Sequence, residues 1–200
     1  MPRVDTESFY HHALARYGDN AEGLHWQSEA SQQARFSVLR DLLPTDLSRL
    51  SLVDVGCGLG DLFAFLCERD DRPGRYLGLD VVDAMVVRAR ARTGCTILNR
   101  DALSDPLPEA DWYVASGTMA LLTPDETSLF IQRCLSHARA GMVFNALKGR
   151  DQSMTFNYLM PEVIESWAAA LEVGVSIIDG YLPGDFSVAL VHPDQRLPRP

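Results

Sequence analysis

Short runs of apolar residues alternate along the chain with stretches in which apolar residues recur every three or four positions. Five runs are almost continuously apolar, as is typical of strands covered on both faces of a parallel sheet. They are 52–55, 76–79, 95–98, 112–115 and 142–144, and the helical stretches between them are 61–69, 82–92 and 124–138. This alternation predicts an α/β fold with at least five parallel strands.

Two more strands are predicted after this region. A helical stretch from Pro161 to about Leu171 precedes apolar runs at 173–181 and 186–192, which the turn sequence 182–185 separates. Such a turn favours an antiparallel hairpin that closes the sheet. Before the first strand, amphipathic patterns predict helices over 5–17 and 28–42, either as a cap over the active face or as packing alone. We expect one domain, with N-terminal helices in 1–48, an α/β core in 49–192 and a tail in 193–200.

A glycine-rich turn directly follows the first predicted strand. Residues 52–61 read LVDVGCGLGD, so that Gly56, Gly58 and Gly60 lie between a strand and a helix. Glycine allows a tight turn and a close approach of ligand to backbone, and the helix start offers free N–H groups. An ordinary strand–helix turn is the alternative. The spacing G-x-G-x-G departs from the dinucleotide fingerprint, and Asp61 would repel a pyrophosphate at the helix N-terminus. The loop therefore predicts a cationic or phosphate-free ligand.

Acidic residues follow the next two predicted strands. Asp80 lies twenty residues after Gly60, where α/β sheets use a carboxylate to accept both hydroxyls of a ribose. Capping the helix that begins near Val82 is the alternative role. Asp101 follows the third strand and could bond an adenine amino group or close a loop turn. Together these positions predict an adenosine-containing ligand.

These elements resemble the class I S-adenosylmethionine-dependent methyltransferases over roughly residues 50–150. The resemblance implies a Rossmann-like, doubly wound, mostly parallel seven-stranded sheet with a C-terminal antiparallel hairpin and an N-terminal helical cap. It also implies an enzyme of that class with S-adenosyl-L-methionine as cofactor. The implied cofactor-binding positions are Asp54, Gly56, Cys57, Gly58, Gly60, Asp80, Asp101, Ala102 and Ser116. Outside the core, Tyr10, Tyr17–Gly18, Trp26, Gln32–Gln33, Arg35–Phe36 and 181–186 resemble a small bacterial branch of undefined substrate.

The chemistry that this resemblance implies requires few side chains. A sulfonium methyl group is already activated, so in-line transfer chiefly needs an acceptor atom aligned about 3 Å from the methyl carbon. A base helps only where the acceptor is protonated at neutral pH. By residue type alone the candidates are Tyr10, His11, His12, His25 and Tyr158, although histidines on an exposed helix are more often inert. No catalytic residue is assigned.

The sequence after the fourth strand bears on the acceptor. Amino-group methylases of nucleic acids carry an Asn/Asp-Pro-Pro-aromatic tetrapeptide there, whereas this chain has SGTM at 116–119. That departure favours a small-molecule acceptor. The acceptor's walls are expected from 116–123, from 145–158 and from the N-terminal helices. Met154, Phe156 and Tyr158 are either pocket-facing or ordinary loop packing.

Composition and charge bear on the partners, the location and the metal content of the protein. The 200 residues carry 27 acidic and 18 basic side chains and a net charge of −9, which disfavours a nucleic-acid partner. No apolar run approaches the ~18 residues of a membrane span, and residues 1–7 lack a secretory pattern, so a cytoplasmic location is expected. The four cysteines have no C-x-x-C spacing, and neither disulfides nor a metal site is expected. The oligomeric state stays open, with a monomer as the default.

Two other functions stay open from the sequence. An NAD-type oxidoreductase would bind a nicotinamide cofactor, which the shifted third glycine disfavours. A non-catalytic module would bind the adenosine ligand without turnover, and the residues alone separate it poorly from an enzyme.

Overall fold

The computed structural model describes residues 4–9, 16, 18, 28–150, 153 and 155–195. Its helices are α1 (Glu29–Asp41), α2 (Asp61–Glu68), α3 (Asp83–Thr93), α4 (Pro124–His137) and α5 (Pro161–Ala170), with a 3₁₀ turn at Thr118–Leu121. Its strands are β1 (Ser51–Val55), β2 (Arg75–Asp80), β3 (Thr96–Asn99), β4 (Ala110–Ala115), β5 (Ala138–Lys148), β6 (Tyr158–Leu159), β7 (Gly174–Asp179) and β8 (Asp185–Val191).

The strands form one mixed sheet in the order β3-β2-β1-β4-β5-β8-β7. The first five strands in sequence run parallel, whereas β8 pairs antiparallel with both β5 and β7. The predicted α/β class, the parallel core and the antiparallel hairpin are confirmed. Because the strand order reverses beside β1, the carboxyl ends of β1 and β4 flank the crevice in which open α/β sheets bind ligands.

Two strands differ from the sequence expectation. The two-residue strand β6 pairs with Leu147 and Lys148 of β5 and makes the sheet eight-stranded rather than seven-stranded. A strand of this length leaves no periodicity to detect. Strand β5 spans eleven residues, far beyond the predicted 142–144. Its extension was hidden because Gly141 and the buried Asn145 interrupt the apolar run.

Apolar side chains cover both faces of the sheet, as a doubly wound fold requires. Along β4, Tyr113 points to the face covered by α4 and α5, whereas Trp112 and Val114 point to the face covered by α1, α2 and α3. All three side chains are buried. This alternation makes β4 an interior strand with a core layer on each side.

The helix termini carry the caps that their sequences indicate. Ser28 precedes α1 in a reciprocal capping box with Ser31, and Thr123 forms the same motif with Glu126 before α4, where Pro124 occupies the first turn. Of the helix predicted over 5–17, residues 6–9 are helical, and 10–15 and 17 lie outside the described residues.

Three further observations concern membranes, thiols and metals. In the part of the chain that the structure describes, every helix is too short or too polar to cross a bilayer. The four cysteines are free thiols. Within the same residues, no three His, Cys, Asp or Glu side chains group together as a metal site would require.

Candidate functional site

A cavity of about 390 Å³ opens at the carboxyl ends of the parallel strands. Loops after β1, β2, β3 and β4 form one part of its wall. The rest includes α1, the end of β5, the chain near β6, the start of β8, and Thr6 and Phe9. Eight of the nine sequence-predicted cofactor positions line it, namely Asp54, Gly56, Cys57, Gly58, Asp80, Asp101, Ala102 and Ser116. The topology therefore brings together residues that are up to 62 positions apart, Asp54 and Ser116.

The glycine loop turns sharply beneath this cavity. Gly56, Gly58 and Gly60 all have positive φ angles, of 73°, 55° and 82°. The N–H groups of Gly56 and Cys57 both donate to Leu79 O, which ties the loop to the end of β2. Glycine has no Cβ atom, so a ligand can approach this backbone closely. At Gly56 the missing Cβ atom also leaves room for the Thr118 side chain, whose Oγ1 would lie 2.3 Å from it.

Gly60 differs from the other two glycines of the loop. It is not among the residues that line the cavity, and a Cβ atom there would come within 2.5 Å of Thr93 Cγ2 on α3. It is also the N-cap residue of α2. The structure therefore gives Gly60 a role in packing α2 against α3.

Asp54 is a buried carboxylate at the end of β1. Only 2% of the residue is exposed, and Tyr76 Oη donates a 2.6 Å hydrogen bond to Asp54 Oδ2. Burial, together with the nearby acids Asp80 and Asp61, raises the pKa of Asp54 to about 7, against the effect of the Tyr76 hydrogen bond. Burial also raises the pKa of the neighbouring Cys57 thiol, which therefore lines the cavity in its neutral form.

Asp80 holds the glycine loop from the second strand. Its Oδ2 accepts from the Gly58 N–H at 2.8 Å, and its Oδ1 accepts from the Val82 N–H at 2.9 Å. Burial raises the pKa of Asp80, and these backbone hydrogen bonds oppose the rise. Val82, not Asp80, is the N-cap residue of α3. Each carboxylate oxygen has a second lone pair, so Asp80 can also accept from a ligand hydroxyl.

Asp101 shapes the loop after β3. Its Oδ1 accepts from the Leu103 N–H at 2.8 Å, and its own N–H donates to Asp105 Oδ2 at 2.9 Å. Asp101 therefore has the loop-turn role that was one of its two alternatives from the sequence. Asp101 and Ala102 nevertheless both line the cavity, so the turn presents this carboxylate at the wall.

Asn145 organises the loop after β4 and was not singled out as a binding residue by its sequence. Its Oδ1 accepts from the Gly117 N–H at 2.8 Å, and its Nδ2 donates to Ser116 Oγ at 3.1 Å. The Gly117 N–H is an obligatory donor, so it fixes the orientation of the Asn145 amide. Ser116 Oγ accordingly accepts one hydrogen bond within the protein.

Helix α1 crosses the cavity and contributes contacts that local patterns do not predict. Gln32 Nε2 donates to Asp61 Oδ2 at 3.2 Å, beside the glycine loop, and Asp61 also pairs with Arg92. One turn further, Arg35 forms an ion pair with Asp185 at the start of β8. The sequence marked 32–36 and 181–186 as distinctive, but their pairing spans 150 residues and left no local signal.

Aromatic residues form part of the cavity wall. Phe9 and Phe156 meet edge to face with ring centroids 6.5 Å apart, and Tyr158 also lines this wall. The pocket-facing interpretation of Phe156 and Tyr158 is therefore confirmed. Met154 and the candidate bases Tyr10, His11, His12 and His25 lie outside the described residues.

Comparisons with known proteins agree with this geometry. Residues 52–141 match the family model described as a methyltransferase domain. Magnesium protoporphyrin IX methyltransferase of Synechocystis PCC 6803 with bound S-adenosylmethionine superposes with a TM-score of 0.71 at 16% identity, covering 92% of each chain. DhpI in its SAM–HEP complex gives 0.70 at 14% identity, covering 92% of this chain and 94% of DhpI. The pyocyanin biosynthetic protein PhzM gives 0.67 at 20% identity, covering 91% of this chain and 61% of PhzM. No curated protein sequence matches the chain.

Proposed function

We propose that residues 52–141, which match the methyltransferase-domain family model, form a class I S-adenosylmethionine-dependent methyltransferase domain, and that the protein methylates a small-molecule acceptor. The observation that carries the proposal is the cavity, whose wall combines the glycine loop with the aromatic side chains of Phe9, Phe156 and Tyr158. Its volume of about 390 Å³ is that of a small-molecule site.

The cofactor would lie on the loops after the first four strands. We assign its binding to Asp54, Gly56, Cys57, Gly58, Asp80, Asp101, Ala102 and Ser116, with Gly60 acting through the packing of α2. Asp80 and Asp101 suit the adenosine part because their carboxylates reach the wall at the ends of β2 and β3. The backbone at Gly58, which carries no side chain, suits the close approach of the rest of the cofactor.

When bound, the cofactor supplies a methyl group on a positively charged sulfur. The chain's own residues orient the acceptor and exclude water, which suffices for an in-line displacement of an activated methyl group. The aromatic wall at Phe9, Phe156 and Tyr158 provides that exclusion. Acidic side chains along the cavity wall favour a cationic ligand over a phosphate-bearing one.

Charge and relatives support a small acceptor rather than a nucleic acid. A net charge of −9 repels a phosphate backbone. Two structural neighbours are named for small-molecule chemistry, magnesium protoporphyrin IX in one and pyocyanin biosynthesis in the other. A cytoplasmic location and a monomeric state stay predictions from the sequence.

Calorimetric titration of S-adenosylmethionine, S-adenosylhomocysteine and NAD tests the cofactor site. We expect micromolar binding of the first two and none of NAD. Asp80→Ala should weaken binding by about 1–3 kcal/mol because a buried carboxylate hydrogen bond is lost. Asp179→Ala, at an exposed acid paired with Lys148, is the matched control and should bind normally.

Formation of S-adenosylhomocysteine in the presence of a library of small acceptors tests turnover. Cofactor binding without turnover for any acceptor would contradict the enzyme and favour a non-catalytic binding module. Preferential binding of NAD by folded protein would contradict the cofactor itself.

A further inference from the structure

A five-residue turn, 101–105, follows β3 and reaches the cavity wall through Asp101, Ala102 and Leu103. Hydrogen bonds within the turn fix its shape. The N–H groups of Ser104 and Asp105 donate to Asp101 O at 3.1 Å and 2.8 Å, and the carboxylates of Asp101 and Asp105 accept further N–H groups of the same turn. The position of the turn against the cavity depends in addition on contacts from other elements.

Arg133 on α4 holds this turn from outside. Its Nε donates to Ala102 O at 2.7 Å, and its Nη2 donates to Asp105 O at 2.5 Å. Hydrogen bonds from a charged donor are about twice as strong as those between neutral groups. The guanidinium is a rigid planar fork, so it fixes the two carbonyl groups relative to each other and to the helix.

Helix α4 is a firm support for these two hydrogen bonds. A capping box closes its N-terminus, and its apolar face is buried in the core with Phe130, Ile131, Cys134 and Leu135. Among the described residues that line the cavity, Arg133 is absent. Arg133 would therefore act on a bound ligand through the turn and not by touching the ligand.

The backbone of Ala102 offers a hydrogen-bond donor at the wall. Ala102 is 4% exposed, and its N–H has no acceptor among the described residues, whereas Arg133 holds its carbonyl. Buried N–H groups in folded proteins nearly always have a partner. A ligand with an acceptor atom at this point would supply one. The carboxylate of Asp101, on the same wall, is an acceptor.

An N–H donor beside a carboxylate matches one kind of purine edge. Adenine has an amino donor beside a ring nitrogen that accepts, whereas hypoxanthine has a carbonyl acceptor beside a ring N–H donor. On hypoxanthine each protein group would therefore meet a group of its own kind. A site that must leave its polar groups unpaired rejects the wrong ligand strongly, provided that those groups are held in place.

We infer that Arg133 is a positioning residue that sets the preference of the cofactor site for adenine over hypoxanthine, by holding Ala102 and Asp101 in place at the wall. The inference rests on the proposed function, in which these two residues receive the adenosine part of S-adenosylmethionine. Arg133 takes no part in the transfer of the methyl group. A change at Arg133 should therefore alter which purine binds.

Calorimetric titration of S-adenosylhomocysteine and of its deaminated analogue S-inosylhomocysteine tests this inference. Wild-type protein should bind the adenosyl ligand at least about tenfold more tightly, because the reversed edge loses hydrogen bonds. Arg133→Gln should weaken binding of the adenosyl ligand about tenfold and of the inosyl ligand less than about twofold, since the latter gains little from the turn. The ratio of the two dissociation constants should thus fall by about fivefold or more.

Two further variants sharpen the test. Arg133→Lys keeps the charge but replaces the fork by a single ammonium group, so its ratio should lie between those of wild type and Arg133→Gln. It also serves if Arg133→Gln does not fold. Arg90→Gln is the matched control, because Arg90 Nε donates to Ile97 O at 2.8 Å on β3 and Ile97 is not among the described lining residues. This control should keep the wild-type ratio.

The outcomes separate this inference from the proposed function. Failure of folded wild-type protein to bind S-adenosylhomocysteine would contradict the proposed function itself. Tight binding of both ligands with equal affinity would overturn only the inference, because the turn would then not distinguish the purine edges. An equal loss of affinity for both ligands in Arg133→Gln would also overturn it, since the role of Arg133 would then be structural alone.

Discussion

Asp54 shows how one residue can oppose folding while forming part of a site. Its carboxylate is buried beneath the glycine loop, where Tyr76 is its side-chain hydrogen-bond donor and Asp80 and Asp61 add like charge. The folded-state pKa of about 7 lies well above the value of 3.8 for an unperturbed aspartate. Ionised Asp54 therefore costs stability, and an acid so placed suits a cationic ligand.

The pH dependence of stability follows from that shift. Between about pH 4 and pH 7 the folded protein binds more protons at Asp54 than the unfolded chain, so this group lowers the free energy of unfolding as the pH rises. Asp54→Asn removes this contribution, and the variant should gain stability relative to wild type from about pH 5 to about pH 8. Urea denaturation at both pH values measures the gain.

Asp111 provides the control for Asp54. Burial alone would raise the pKa of Asp111, but hydrogen bonds from Ser51 and Arg139 lower it below the usual range. Asp111 stabilises the fold at neutral pH and loses that contribution as its carboxylate is protonated in acid. Asp111→Asn should therefore lose stability relative to wild type as the pH rises to about 5, and the difference should then stay constant to about pH 8. Identical pH slopes for wild type and Asp54→Asn would contradict the assignment of a raised pKa.

Single residues were predictable where a local pattern carries the information. The positions of Asp80 and Asp101 follow from counting strands, because a residue at the carboxyl end of a parallel strand must reach the ligand edge. The pairing of Arg35 with Asp185 depends on β8 inserting beside β5, which no local pattern encodes. The role of Gly60 was similarly hidden, since its neighbour Thr93 lies on another helix.

At the scale of elements, Gly60 couples two helices. Replacing it by alanine would place a methyl group against Thr93 Cγ2 in a backbone conformation with φ of 82°. We expect Gly60→Ala to lower the free energy of unfolding by about 1–3 kcal/mol, from overpacking and left-handed strain together. Thr93→Ser in the same chain removes the Cγ2 atom and should restore part of the loss.

Chemical denaturation of the two single variants and the double variant measures this coupling. Thr93→Ser alone is the matched control for the loss of a methyl group. If the two changes in the free energy of unfolding were strictly additive, the loss in Gly60→Ala would come from backbone strain at φ alone. That result would contradict the contact between α2 and α3.

Helices were predicted closely and strands less well, for a physical reason. Capping residues mark helix ends, so that the predicted 28–42 became Glu29–Asp41 and 124–138 became Pro124–His137. A strand is defined by its partner across the sheet, which can tolerate a glycine or a satisfied asparagine within an apolar run. Strand β5 continues through Gly141 and Asn145 because β4 and β8 supply its hydrogen bonds on both edges.

At the scale of the whole molecule, the described N-terminal residues close over the cavity. Phe9 contacts Phe156, and both residues line the cavity. An aromatic pair of this kind contributes about 0.5–1.5 kcal/mol beyond area burial. Phe9→Ala should therefore lower the free energy of unfolding by about 0.5–1.5 kcal/mol and accelerate dissociation of S-adenosylhomocysteine several-fold.

A double-mutant cycle checks the origin of that effect. Phe156→Ala should accelerate dissociation to a similar degree, and the double variant should be little faster than either single variant. Stopped-flow measurement of dissociation resolves the three rates. Additive acceleration would mean that the two rings act on the ligand independently.

The strand order also constrains how the molecule is made. Strand β7 precedes β8 in sequence but lies outside it, and β8 must enter between β5 and β7 for the sheet to close. Because Asp185 is on β8, the ion pair with Arg35 forms only after nearly all the described chain has left the ribosome. A nascent chain can thus order its glycine loop early, but it completes the cavity wall at Asp185 only after β8 pairs with β5. Contacts between residues so far apart in sequence also form slowly.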